Sequence, residues 1–168
     1  MRVLGAILAG GASKRFGSDK AVAMSAGMPL LDHVVAAVLP QVESLVIVGR
    51  LWPGHHRVDD LPAPGFGPLG GLAGALGHAL AGGFDALLCV PCDTLGLPSD
   101  LVARLSPGPS VALDQRIIGL WPSNLAPALI ARLSSGESLA LHAWITATGA
   151  REVDCGSLRN VNHPADLD

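Results

Sequence analysis

The stretch Leu8-Ala9-Gly10-Gly11-Ala12-Ser13-Lys14-Arg15-Phe16-Gly17-Ser18-Asp19-Lys20 combines residue types suited to holding a polyanion. Gly10 and Gly11 lack a Cβ, so backbone N–H groups there can approach a ligand closely. Successive free N–H groups form a concavity that favours anions. Lys14, Arg15 and Lys20 then place three cations within seven residues, where phosphate oxygens would sit. The stretch is not a Walker A loop, because no Gly-Lys-Ser/Thr closes it. It is not a dinucleotide fingerprint either, because the G-x-G-x-x-G spacing is absent. The chemistry it suggests is retention of a nucleoside triphosphate. The competing reading is an ordinary strand-to-helix turn with a solvated basic face.

A second group is Pro91-Cys92-Asp93-Thr94, which follows a nearly all-apolar run over 84–90. Such a run reads as a central strand of a parallel sheet. A carboxylate at its carboxyl end is well placed for a hard cation, since Mg²⁺ is held by one or two carboxylates together with substrate phosphates. A cap for the next helix is the competing use of Asp93. Cys89 and Cys92 form a C-x-x-C pair, but no second pair and no His cluster at ligand spacing accompany it, so neither a zinc nor a redox site is read there. Asp59-Asp60 closes a short strand at 57–60, and the ten residues 62–71 carry three prolines and four glycines, which excludes regular structure. His33 and the pair His55-His56 are read as solvent-facing.

The elements that must position these groups follow from periodicity. Residues 3–8 form a buried strand, 29–39 a helix with Leu30, Leu31, Val34, Val35, Val38 and Leu39 on one face, and 45–49 a β-branched strand. Pro29 suits a first helical position and Pro40 stops the helix. Strand, helix, strand predicts a βαβ unit in a parallel sheet, with ligands at the carboxyl ends of the strands. Gly11 and Gly49 fall on that rim. Residues 21–26 read as extended, with a turn at 27–29. Helices are expected at 69–80, 97–105, 125–133 and 138–148, a strand pair at 110–114 and 116–121, and a last strand at 151–155.

The chain of 168 residues fits one domain with a real core. Apolar residues at 49% and charged residues at 15% exclude a disordered chain. A net charge of −3 without a basic run argues against a nucleic-acid surface. No apolar stretch reaches a membrane span, no signal peptide pattern precedes the first strand, and three cysteines do not make a disulfide framework, so a cytoplasmic setting is expected.

The signature L-A-G-G-x-S-x-R-F-G-x-D-K over residues 8–20 resembles that of nucleotidyltransferases of the molybdenum cofactor guanylyltransferase family, within the broader group of sugar-phosphate and cytidylyl transferases. The Gly10-Gly11 pair and Asp19-Lys20 look like the guanylyl branch, since other relatives more often carry Ala-Gly and Pro-Lys there. Pro64-Gly65-Phe66-Gly67-Pro68-Leu69-Gly70-Gly71 is similar to a segment that borders the nucleotide in that family, and Asn160-Val161-Asn162-x-Pro164 to its C-terminal motif. The resemblance covers most of residues 3–104 and 160–164. It implies a single Rossmann-like three-layer α/β domain over 1–168, with a mainly parallel sheet and helices on both faces. It also implies Mg²⁺-dependent transfer of GMP from GTP to the molybdenum–molybdopterin cofactor with release of pyrophosphate. Arg15, Lys20 and Asp93 would then be catalytic. Leu8, Ala9, Gly10, Gly11, Ser13, Lys20, Gly49, Asp60, Gly67 and Asp93 would surround the nucleotide, and Asp93 and Asn162 would hold the metal. Partners would be GTP and a molybdopterin-type substrate, with transient contact to molybdoenzymes or cofactor-insertion proteins.

Three positions depart from the family pattern. Gly49 stands where the guanylyl branch more often has an Asn that meets the base. Ile117-Ile118 replaces a polar, proline-containing stretch near the acceptor. Gly136-Glu137-Ser138 lacks an arginine that commonly follows a glycine. They leave open a cytidylyl transferase acting on a pterin or sugar phosphate, and a non-catalytic nucleotide-binding paralogue.

Overall fold

The computed structural model describes residues 1–11 and 19–167. Ser13, Lys14 and Arg15 therefore lie outside the described residues, and the roles expected of them stay as expectations. Seven strands form one sheet: β1 (Val3–Leu8), β2 (Ser44–Val48), β3 (His56–Val58), β4 (Ala86–Pro91), β5 (Ser110–Ala112), β6 (Gly119–Pro122) and β7 (Arg151–Val153), in the spatial order β7-β5-β6-β4-β1-β2-β3. All neighbours pair in parallel except β6, which runs against both β4 and β5. The expected strand pair is thus an antiparallel hairpin inserted into a parallel sheet.

Among the described residues five helices cover the two faces: α1 (Leu30–Val38), α2 (Pro68–Ala81), α3 (Leu101–Leu105), α4 (Ala126–Ser134) and α5 (Leu141–Thr148). Alternation along each strand divides the core. Leu4, Ala6, Val46, Val48, Leu87 and Cys89 face α2, α4 and α5. Val3, Ile7, Leu45, Ile47, Leu88 and Val90 face α1 and α3. This is the expected three-layer α/β arrangement. The apolar stripe of α1 places Leu31, Val34 and Val38 in the core. Gly5 of β1 faces the same way, and a Cβ there would meet Val38 and Val42 side chains at 3.0 and 3.1 Å. Full burial of each large aliphatic side chain contributes about 1.5–3 kcal/mol.

Several local expectations are corrected. Residues 21–26 are not simply extended: Lys20–Val22 forms a 3-10 turn, and Met24–Ser25 pairs with Met28–Pro29 around Ala26 and Gly27, both at positive φ. His33 is not idle, because its Nε2–H donates to the Ser25 carbonyl at 2.6 Å and ties α1 to that hairpin. The helix expected over 97–105 is limited to Leu101–Leu105, the chain before it following Gly96 at φ +79 and Pro98.

Candidate active site

The register of the central strands builds a rim. Leu8 of β1 lies level with Val48 of β2 and Pro91 of β4, and Val48 lies level with Val58 of β3. Each strand therefore delivers its next residues to one edge: Ala9 to Gly11, Gly49-Arg50, Asp59-Asp60 and Cys92-Asp93. Main-chain bonds fix these exits, from Ala9 N to Val48 O at 3.0 Å, Gly49 N to Val58 O at 2.9 Å and Cys92 N to Leu8 O at 3.1 Å. Beyond the rim opens a cleft of about 480 Å³, within the size range of small-molecule sites.

Leu8, Ala9, Gly10 and Gly11 line one side of this cleft, and Lys20 and Asp93 line it together with them. The N–H groups of Gly10 and Gly11 have no hydrogen-bond partner among the described residues, and successive amides of that kind favour an anion. Lys20 is set by the residue before it. The Asp19 carboxylate accepts from Ala21 N at 3.2 Å and caps the turn that carries Lys20. Lys20 Nζ reaches Asp93 Oδ2 at 3.0 Å, with the two side chains only 16% and 18% exposed. The two charge-bearing motifs of the sequence, 73 positions apart, thus meet in one site.

Asp60 enters the cleft from the end of β3. Its neighbour is the first turn of α2, where side chains are missing by design of the sequence. A Cβ on Gly70 would stand 3.2 Å from Asp60 Oδ2, and one on Gly74 would stand 2.0 Å from the Asp59 carbonyl oxygen. At Gly74 only a glycine allows the helix to seat this close. Burial, and then the charge of Asp59, raise the Asp60 pKa above the ordinary carboxylate value. Gly67, at φ +65, is the N-cap of α2 and also lines the cleft.

Two expected residues stand elsewhere. Gly49 is not part of the cleft wall; at φ +86 it packs on Gly10, and a Cβ there would lie 2.6 Å from Gly10 Cα. Asn162 does not line the cleft either, and its main-chain N donates to Asp166 Oδ2 at 2.8 Å. Its motif supports Asp93 from behind: Val161 N donates to the Asp93 carbonyl at 2.8 Å, and Thr94 Oγ1 donates to Asn160 Oδ1 at 3.0 Å. Sequence reasoning missed Asp19 as the cap beneath Lys20, though its Asp-Lys pairing was in view. It also gave no place to Arg50, which binds Asp19. Ile117, noted only as a departure from pattern, lines the cleft from the β5–β6 turn.

Cys92 lines the cleft too, but burial pushes its thiol up to about 12, and Cys89 in the core is likewise pushed to about 12. Both stay protonated at neutral pH and neither is an activated nucleophile. Among the described residues no group of three or more His, Cys, Asp or Glu could enclose a metal ion. The carboxylates that line the cleft are Asp93, Asp60 and Asp19, the last paired with Arg50, and they leave different strands and turns. That fits a hard divalent cation which takes its remaining ligands from water and substrate phosphates, and it does not fit a metal needing a full protein cage.

A mainly parallel sheet with helices on both faces, opening at its strand ends onto a cleft lined by Gly10, Gly11, Lys20 and Asp93, defines an α/β protein of the nucleotide-binding class. Residues 5–153 match the model of the MobA-like NTP transferase domain, and the chain belongs to that family. It is 34% identical to the molybdenum cofactor guanylyltransferase of Acidiphilium cryptum, over 96% of this chain and 90% of that protein. It is 36% identical to that of Cereibacter sphaeroides, over 99% of this chain and 94% of that protein. The fold is shared with molybdopterin-guanine dinucleotide biosynthesis protein A from Archaeoglobus fulgidus, at TM-score 0.70 and 17% identity, covering 98% of this chain and 94% of that one. It is also shared with 4-diphosphocytidyl-2C-methyl-D-erythritol synthase, at TM-score 0.65 and 14% identity, covering 95% and 91%.

Proposed function

We propose that this chain transfers GMP from GTP to the molybdenum–molybdopterin cofactor and releases pyrophosphate. The observation that carries the reading is convergence: the amides of Gly10 and Gly11, the Lys20 ammonium and the Asp93 carboxylate share one cleft. The guanylyl choice rests on the relatives named above, which bear that activity in their names over nearly the full chain. One unit carries the whole site, so residues 1–168 are read as a single domain.

In this reading the Gly10 and Gly11 N–H groups, Arg15 and Lys20 hold the β- and γ-phosphates, with Leu8, Ala9 and Ser13 beside them. Asp60 accepts a hydrogen bond from the nucleoside, and Gly67 lets the backbone approach it. The terminal phosphate of the acceptor attacks the α-phosphorus while the bond to the β-phosphate oxygen breaks, so one P–O bond forms as one is lost and pyrophosphate departs. A phosphate monoester with a second pKa near ~6 is ionised at neutral pH, so no protein base is required. Catalysis is then positioning and charge neutralisation. Asp93 would hold a divalent cation, Mg²⁺ by its oxygen preference, which when bound neutralises charge on the phosphates.

The test is a panel of GTP, CTP, ATP and UTP with Mg²⁺ and the pterin acceptor, reading nucleotide binding and pyrophosphate release. GTP-dependent pyrophosphate release is expected. Preference for CTP would replace guanylyl with cytidylyl transfer, and binding without release under all conditions would sink the enzymatic reading.

A further inference from the structure

We propose that Arg50 is a positioning residue that sets Lys20 for the triphosphate by clamping Asp19. Arg50 follows Gly49 at the carboxyl end of β2, and its guanidinium meets Asp19 with two prongs, Nη1 to Oδ1 at 2.8 Å and Nη2 to Oδ2 at 2.7 Å. A two-pronged pair fixes orientation as well as attraction, and a lysine cannot reproduce the fork. The same Asp19 Oδ1 accepts from Ala21 N, so the clamped carboxylate is the one that starts the turn carrying Lys20. Asp19 and Lys20 line the cleft, whereas Arg50 does not. Its influence on the ligand therefore runs through Asp19.

The clamp is itself braced. The Arg50 guanidinium lies 5.5 Å from the centre of the Trp52 ring, and Trp52 Nε1 donates to Asp32 Oδ1 of α1 at 2.8 Å. The Arg50 side chain is 24% exposed, and its Nε–H is buried with no hydrogen-bond partner among the described residues. The arginine of the clamp thus sits in a largely buried setting, on the residue directly before Lys20. The geometry also explains why Gly49 precedes it: only a residue without Cβ turns the chain here against Gly10 and aims Arg50 at Asp19.

This inference rests on the reading of Lys20 as a triphosphate ligand. Its test is a double-mutant cycle on the whole chain with Arg50→Met, Asp19→Asn and the pair, reading the Kd for GTP with Mg²⁺, the KM and kcat, and the melting temperature. Each single variant should weaken GTP binding by about tenfold, and the double variant should be no weaker than the worse single, because contacting residues in one chain of influence are not additive. Arg50→Lys should stay impaired. If Arg50→Met does not fold, Arg50→Lys against Asp19→Asn completes the same cycle. Additive losses, or wild-type binding in Arg50→Met, would overturn the proposal while wild-type GTP binding stands. A wild-type chain that binds no nucleoside triphosphate would overturn the functional reading and this inference together.

Discussion

At the scale of single residues, the centre of the site is the Lys20–Asp93 pair at 3.0 Å. Asp93→Asn should raise the divalent-metal concentration needed for half-maximal transfer by at least about tenfold, and an unchanged metal titration would remove Asp93 from that role. Lys20→Ala should slow transfer by on the order of 10²–10³ with an unaltered circular dichroism spectrum; full activity would count against the glycine-loop assignment. Asp60 makes a different prediction. Its folded pKa is raised, chiefly by burial, so its favourable contribution is present below the unfolded carboxylate value and is lost as pH rises through the folded one. At neutral pH its charge therefore opposes folding. Asp60→Asn should melt at a higher temperature than wild type at pH 7, with the gap closing as pH falls, and should bind GTP more weakly. Equal melting curves for variant and wild type at pH 7 would show that the buried charge of Asp60 does not oppose folding.

At the scale of elements, α2 is placed by what its residues lack. Gly74→Ala puts a Cβ against a main-chain oxygen that cannot swing aside. It should destabilise by at least about 2 kcal/mol, lowering Tm by roughly 4–8 °C at this chain length, and weaken nucleotide binding through Asp60. Gly77→Ala meets only the ends of the Leu61 and Ile130 side chains, at 3.4 and 4.0 Å, and should raise Tm through helix propensity, by up to about 1 kcal/mol. Thermal melts of the two variants check both signs. The glycines of this helix were legible as composition but not as contacts, because closeness to Asp59 depends on how α2 crosses β3. The main strands and α1 were legible because apolar period alone fixes them, and the glycine loop and Asp93 because both follow apolar runs. The tight hairpin at Met24–Pro29 was not, since Ala26 gives no sign of a positive φ. Arg50 was missed because its partner lies 31 positions away and neither residue alone marks a clamp.

At the scale of the molecule, one continuous seven-stranded sheet brings the ends of its central strands to the cleft, and α2 packs on the same sheet. Calorimetry should therefore give a single transition with calorimetric and van't Hoff enthalpies in agreement, near 120 kcal/mol at about 60 °C from the usual per-residue value; two resolved transitions would divide the chain. Among the described residues no helix is long and apolar enough to cross a membrane. The reversed strand β6 gives the sheet its one asymmetry. Because β5 runs the same way as β4, the connection at 113–118 emerges beside the other strand ends, and Ile117 reaches the cleft from its tip. On the proposed function, grip on the polyphosphate would belong to the strand-end frame, and the second reactant would meet a short bend outside it. Changes of letter in that bend would then alter the choice of co-substrate and leave the frame, and the bond-making it supports, as inherited.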